Sequence, residues 1–122
     1  MPIVGIDHVQ VAAPRGEESE AKARAFYGEL LGMQEIEKPD SLKPNGGVWF
    51  SLGLGQLHIG LEEPFSPARK AHPALIVDDL QQLRARLHDA GIHLTEAQDI
   101  PGVDRFHVHD PFGNRIELMA RS

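Results

Sequence analysis

The chain states one pattern twice, and this duplication constrains its fold more than any other feature. The first copy opens with Gly5-Ile6-Asp7-His8-Val9-Gln10-Val11 and closes with Gln56-Leu57-His58-Ile59-Gly60-Leu61. The second opens with Ala71-His72-Pro73-Ala74-Leu75-Ile76-Val77 and closes with Asn114-Arg115-Ile116-Glu117-Leu118-Met119. His8 and His72 are 64 positions apart (72 − 8), and His58 and Glu117 are 59 apart (117 − 58). A near-constant offset between equivalent residues marks an internal repeat. All four residues are ligands that a divalent transition metal accepts readily.

Local signals give each copy the order βαβββ. In the first, a strand over about 5–12 is broken at Pro14-Arg15-Gly16. A helix over about 17–31 follows, with Ala23, Phe26, Tyr27, Leu30 and Leu31 on one face and Gly32 as its stop. Glu17, Glu18 and Glu20 suit its N-terminal dipole. A short strand over 33–37, a loop over 39–47 and a hairpin of 48–52 with 56–61 complete the copy. The second copy predicts a strand over 71–77 and a helix capped by Asp78 or Asp79 that runs to Ala90. Leu80, Leu83, Leu87 and Ala90 form its expected buried stripe. A weak strand over 94–97 and a hairpin around Asp110-Pro111-Phe112-Gly113-Asn114 then close it. The expectation is an α+β protein and a single domain: module 1 at about 1–63, a linker at about 64–70, and module 2 at about 71–122.

Each half, at about 60 residues, buries too little surface to be secure alone, and each leaves a sheet edge open. A homodimer is therefore expected. The formal charge is −6, from 12 Lys+Arg against 18 Asp+Glu, which argues against a nucleic-acid or anionic-membrane surface. The absence of cysteine leaves nitrogen and oxygen as metal ligands. No apolar run approaches a membrane span and no signal-peptide pattern opens the chain, so a cytoplasmic location is expected.

Period-two alternation places the candidate ligands. With Val9, Val11, Leu57, Ile59, Leu75, Val77, Ile116 and Leu118 packed on helices, His8, His58, His72 and Glu117 all point the other way. Each alone fits a polar outer sheet face; together, at equivalent positions of a repeat, they predict a metal site. His88 and His93 read as solvated surface, and Tyr27 as helix packing. His107 and His109 share a face with Arg105 and either line the cleft or meet water. Trp49, opposite Val48 and Phe50, offers a flat apolar wall.

These motifs resemble the vicinal oxygen chelate superfamily, which includes glyoxalase I, fosfomycin-resistance transferases, extradiol dioxygenases and bleomycin-binding proteins. The resemblance is carried by Asp7-His8-Val9-Gln10-Val11, by the helix from Ala25-Phe26-Tyr27-Gly28 to Leu31-Gly32-Met33, by His72 to Leu80, and by Asp110 to Leu118. It implies paired βαβββ modules forming a curved, partly open barrel, and a homodimer whose cleft takes ligands from both subunits. By motif it implies His8, His72 and Glu117 as ligands of a divalent transition metal: zinc, iron, nickel or manganese. His58 departs from the pattern. Glyoxalase I places a carboxylate there as ligand and base, and a histidine is suited to either role.

The implied activity is a metal-dependent enzyme of glyoxalase or dioxygenase type, chelating a small molecule through adjacent oxygens. His58 and Glu117 are its catalytic candidates, and Trp49, Lys70, Arg105 and His107 its substrate-binding candidates. Lys70 and Arg105 either clamp an anionic substrate or are solvated cations. Two alternatives stand: a metal-free ligand-sequestering protein of the bleomycin-resistance type, and a fosfomycin-type thiol transferase.

Overall fold

The computed structural model describes residues 2–122. It divides after Pro67 into two compact units, the second spanning Ala68–Ser122. In the first, β1 (His8–Pro14), a helix, β2 (Glu35–Ile36), β3 (Val48–Leu52) and β4 (Gly55–Glu62) form a mixed sheet of order β1-β4-β3-β2. In the second, β5 (Ala74–Ile76), α2 (Leu80–Asp89), β6 (Thr95–Glu96), β7 (Val103–His109) and β8 (Arg115–Arg121) form a sheet of order β5-β8-β7-β6. The class is α+β, and βαβββ occurs twice. In both sheets the first strand pairs parallel with the last, and the remaining pairs are antiparallel.

The repeat extends to register. His58 faces Gln10 on its parallel side, two residues past His8, and Trp49 on its antiparallel side. Glu117 faces Ala74, two residues past His72, and His107. His58 and Glu117 are thus structural equivalents, as are Trp49 and His107.

Alternation sets the two cores. Val48, Phe50, Leu57 and Ile59 are buried with Ala23, Phe26 and Tyr27 in the first unit. Leu75, Phe106, Val108, Ile116 and Leu118 are buried with Leu80, Leu83 and Leu87 in the second. Asp79 caps α2, its carboxylate accepting from Gln82 N at 3.0 Å.

The first helix departs from expectation. It is α-helical as α1 (Glu17–Ala23) and then continues with π winding over Arg24–Leu30. The wider turn is closed by Leu31 N donating to Phe26 O at 2.9 Å. It lets two consecutive aromatics, Phe26 and Tyr27, both face the core, where their rings meet edge to face at 4.9 Å. The 39–47 loop contains a 3₁₀ turn over Asp40–Asn45. Strand β5 is shorter than expected, so His72 lies two residues before it. Among the described residues no helix is long and apolar enough to cross a membrane.

Candidate functional site

The second unit gathers the chemistry. The Asp110–Asn114 turn fixes the β7–β8 register: Asp110 Oδ1 accepts from Phe112 N and Asn114 N at 2.9 and 2.8 Å, and Oδ2 from Asn114 Nδ2 at 2.9 Å. Three residues past Asn114 comes Glu117, buried, with His107 directly across the ladder. His72 is brought alongside because Glu117 N donates to Pro73 O at 3.0 Å, extending the parallel pairing beyond β5.

Glu117 Oε1 is approached by His72 Nε2 at 2.9 Å and by His107 Nε2 at 3.3 Å. Its Oε2 accepts from Arg105 Nη1 at 3.2 Å. Burial pushes the Glu117 carboxyl up. Hydrogen bonds from His72, Arg105 and His107, with the Arg105 charge, outweigh it and hold the carboxyl below its ordinary range.

Among the described residues, His72, His107 and Glu117 are the group whose ligand atoms lie within 4.8 Å of one another, as a shared ion requires. Ligands about 2.1 Å from a metal, at octahedral or tetrahedral angles, stand roughly 3.0–3.5 Å apart. The observed 2.9 and 3.3 Å match that spacing. His72 Nδ1 donates to Lys70 O at 2.8 Å, a bond that would stay in place with an ion on Nε2 instead of the proton shared with Glu117. A backbone carbonyl behind the distal nitrogen is the usual support for a metal-bound imidazole. The donor set therefore fits a divalent transition ion.

In the first unit, His58 is stacked between two rings. Trp49 lies at 3.8 Å, 2° from parallel, and His8 at 4.2 Å and 17°. His58 Nε2 meets Gln56 Oε1 at 2.8 Å. Burial first, and the neighbouring His8 second, push the His58 imidazole below its ordinary value, against a smaller opposing effect of Asp7. His8 Nδ1 lies 2.9 Å from Asp7 Oδ2, a carboxylate support like those behind metal-bound histidines.

The expected residues thus fall into two groups. His72, Glu117, Arg105 and His107 meet in one cluster, while His8, His58 and Trp49 form a ring stack. Arg105 is engaged more fully than expected, since its Nε and Nη2 both donate to Gln98 O at 3.1 and 2.7 Å. Lys70 contributes its carbonyl. His107 was expected to touch substrate rather than a metal. Counting back from the turn, His109 against Arg115 and then His107 against Glu117, is the signal that places it in the cluster.

The profile of the Glyoxalase/Bleomycin resistance protein/Dioxygenase superfamily matches residues 5–118. A glyoxalase family protein of known structure from Bacillus anthracis is 52% identical, with a TM-score of 0.93 over 98% of this chain and 97% of that one. Glyoxylase I 4 of Arabidopsis thaliana is 27% identical over 95% of this chain and 70% of its own length. Lactoylglutathione lyase from Agrobacterium tumefaciens, 20% identical over 98% and 96% of the two chains, shares the fold at a TM-score of 0.74. With registers, repeat and profile in agreement from the first strand to the last, the chain belongs to the Glyoxalase/Bleomycin resistance protein/Dioxygenase superfamily.

Proposed function

We propose that this protein is a metal-dependent enzyme acting on a small molecule with two adjacent oxygens, of glyoxalase or dioxygenase type. The observation that carries the reading is the convergence of His72 Nε2 and His107 Nε2 on Glu117 Oε1, with Lys70 O behind His72. These three side chains would hold the ion, and His8 is proposed as a further ligand. Bound there, the ion supplies Lewis acidity toward a chelated oxygen pair.

The chain's own residues do the rest. Arg105 orients Glu117 by tying Oε2 and leaving Oε1 toward the imidazoles, and is a positioning residue. His58, kept neutral by its burial between rings, is proposed to accept a proton. Self-association supports a complete site. Ile3, Val4 and Ile6 are 80–97% exposed, and an apolar run of this kind in water favours burial against a second copy.

Elemental analysis of protein purified without chelator tests the reading, with one divalent ion per chain expected. His72→Ala and Glu117→Ala should lose it. Retention of metal by both variants refutes the assignment. A panel of hemithioacetals of 2-oxoaldehydes, catechols and epoxides then assigns the reaction. The metal-free binding reading has one observation in its favour: among the described residues no buried side-chain nitrogen or oxygen lacks a partner. It takes first place if the protein carries no metal and no substrate is turned over when metal is added.

A further inference from the structure

The first unit holds a recess of about 370 Å³ that neither the metal cluster nor the ring stack accounts for. Its floor includes Gln10, Trp49 and Gly60, on the same sheet face as His58, since Gln10 and Trp49 both pair with His58. Its rim carries Arg15 and Lys38. We infer that this recess is an oxyanion subsite, taking the carboxylate or phosphonate end of a small molecule whose flat body lies against Trp49. The inference rests on the small-molecule reading above and names the substrate class.

Four observations carry it. The volume lies in the range of small-ligand pockets. In a chain of net charge −6, the ionisable residues lining the recess are both cations. Arg15 is exposed and makes no hydrogen bond or ion pair with a described residue, so its planar fork is open to a bidentate oxyanion. Lys38 is fixed at the rim because its Nζ donates to Gly46 O, which leaves further ammonium protons for a ligand. Glu20, beside Gly46, is turned to the backbone there, its Oε2 accepting from Gly47 N at 2.7 Å.

The floor is shaped for close approach. A Cβ at Gly60 would stand 2.5 Å from Gln10 Nε2, so glycine is what allows the Gln10 amide to lie across β4. That amide adds a neutral donor to the two cations. Trp49 has one ring face covered by His58 at 3.8 Å, and its remaining surface is part of the lining. Cations, an amide donor and an indole wall select an anionic group joined to a planar body.

Trp49 is the chain's sole tryptophan, so the protein's indole emission comes from the wall of this recess. Chelator-treated full-length protein is titrated with benzoate, phenylphosphonate and benzamide. The two acids should change the emission saturably, and the tighter of them names the head group. Benzamide should bind at least tenfold more weakly. Arg15→Gln and Lys38→Met should each weaken the better acid about tenfold, the loss of one charge-assisted contact. Arg15→Gln removes a partnerless side chain, so its circular dichroism should match the parent. Glu117→Gln should leave this titration unchanged while abolishing metal uptake, so that failure of the metal reading and failure of the subsite reading are separate results. The subsite is refuted if neither acid saturates, if benzamide binds as well as the acids, or if both cation variants keep the parent affinity.

Discussion

Arg105→Met tests how the Glu117 carboxylate is held. Methionine keeps much of the apolar stem, so the substitution removes chiefly the guanidinium and its bonds. One of these is a charge-assisted contact to Glu117 Oε2, with side chains 17% and 9% exposed. Two more run to Gln98 O. Hydrogen bonds to charged groups contribute about 1.5–3 kcal/mol and neutral-acceptor bonds about 1 kcal/mol. With the two bonds to the shared Gln98 oxygen counted as one, loss of the guanidinium should cost roughly 2.5–4 kcal/mol at pH 7.5. With a urea slope of about 2 kcal/mol per molar, that lowers the midpoint by roughly 1–2 M. The pH dependence separates the two contributions. The folded-state Glu117 carboxyl lies below its ordinary value, so the stability it gives is fully present above the unfolded value of about 4.3. It is lost as pH falls through the depressed folded value. Arg105 supplies part of that depression, so parent and variant should converge as pH falls from 7.5 through about 4.3 toward the depressed folded value, below which chiefly the Gln98 contribution remains. The assay is urea unfolding of chelator-treated parent and variant across that range. A difference constant with pH, or one below about 0.5 kcal/mol at pH 7.5, refutes the account.

Other perturbations have equally definite outcomes. Asp110→Ala removes three hydrogen bonds, two of them buried, from the turn that aligns His107 with Glu117, and should cost about 2–4 kcal/mol and weaken metal binding in a dialysis assay. Gly47→Ala should cost more than about 2 kcal/mol by thermal unfolding, because φ is +92° and the new Cβ would stand 2.3 Å from Ile59 O. Proton NMR should show His58 titrating below the ordinary imidazole value. The stability linked to it is complete above about pH 6.5 and is lost between that value and the depressed one. His58→Gln should abolish that loss and reduce turnover at least tenfold with the fold unchanged, as circular dichroism and initial rates will show.

Much of the fold was legible because period-two alternation and turn chemistry act locally. Val48 and Phe50, or Ile116 and Leu118, declare the buried face, and Asp110 to Asn114 declares the hairpin. The π winding was not legible: whether adjacent Phe26 and Tyr27 both turn inward depends on the space beneath the helix, which no local pattern encodes. The candidate site was read in part. His72 and Glu117 emerged from the repeat, whereas the place of His107 needed the cross-strand register. Arg15 and Lys38 lie in segments 23 residues apart (38 − 15), and only the folded sheet gives them a common recess.

The parallel pairing of first and last strands has a consequence in time. In the second unit, Ala74 waits for Glu117, 43 residues later (117 − 74). At a synthesis rate of about 5–20 residues per second, that is an interval of roughly 2–9 s in which β5 has no partner. During it, His72 precedes an unanchored strand, and no shorter length of chain presents the donor set. Closing so long a loop is also entropically costly and kinetically slow. The emergence of β8 therefore completes the sheet and brings His72, His107 and Glu117 together in one event. On the proposed reading, a nascent chain could hold the ion only once β8 has left the ribosome.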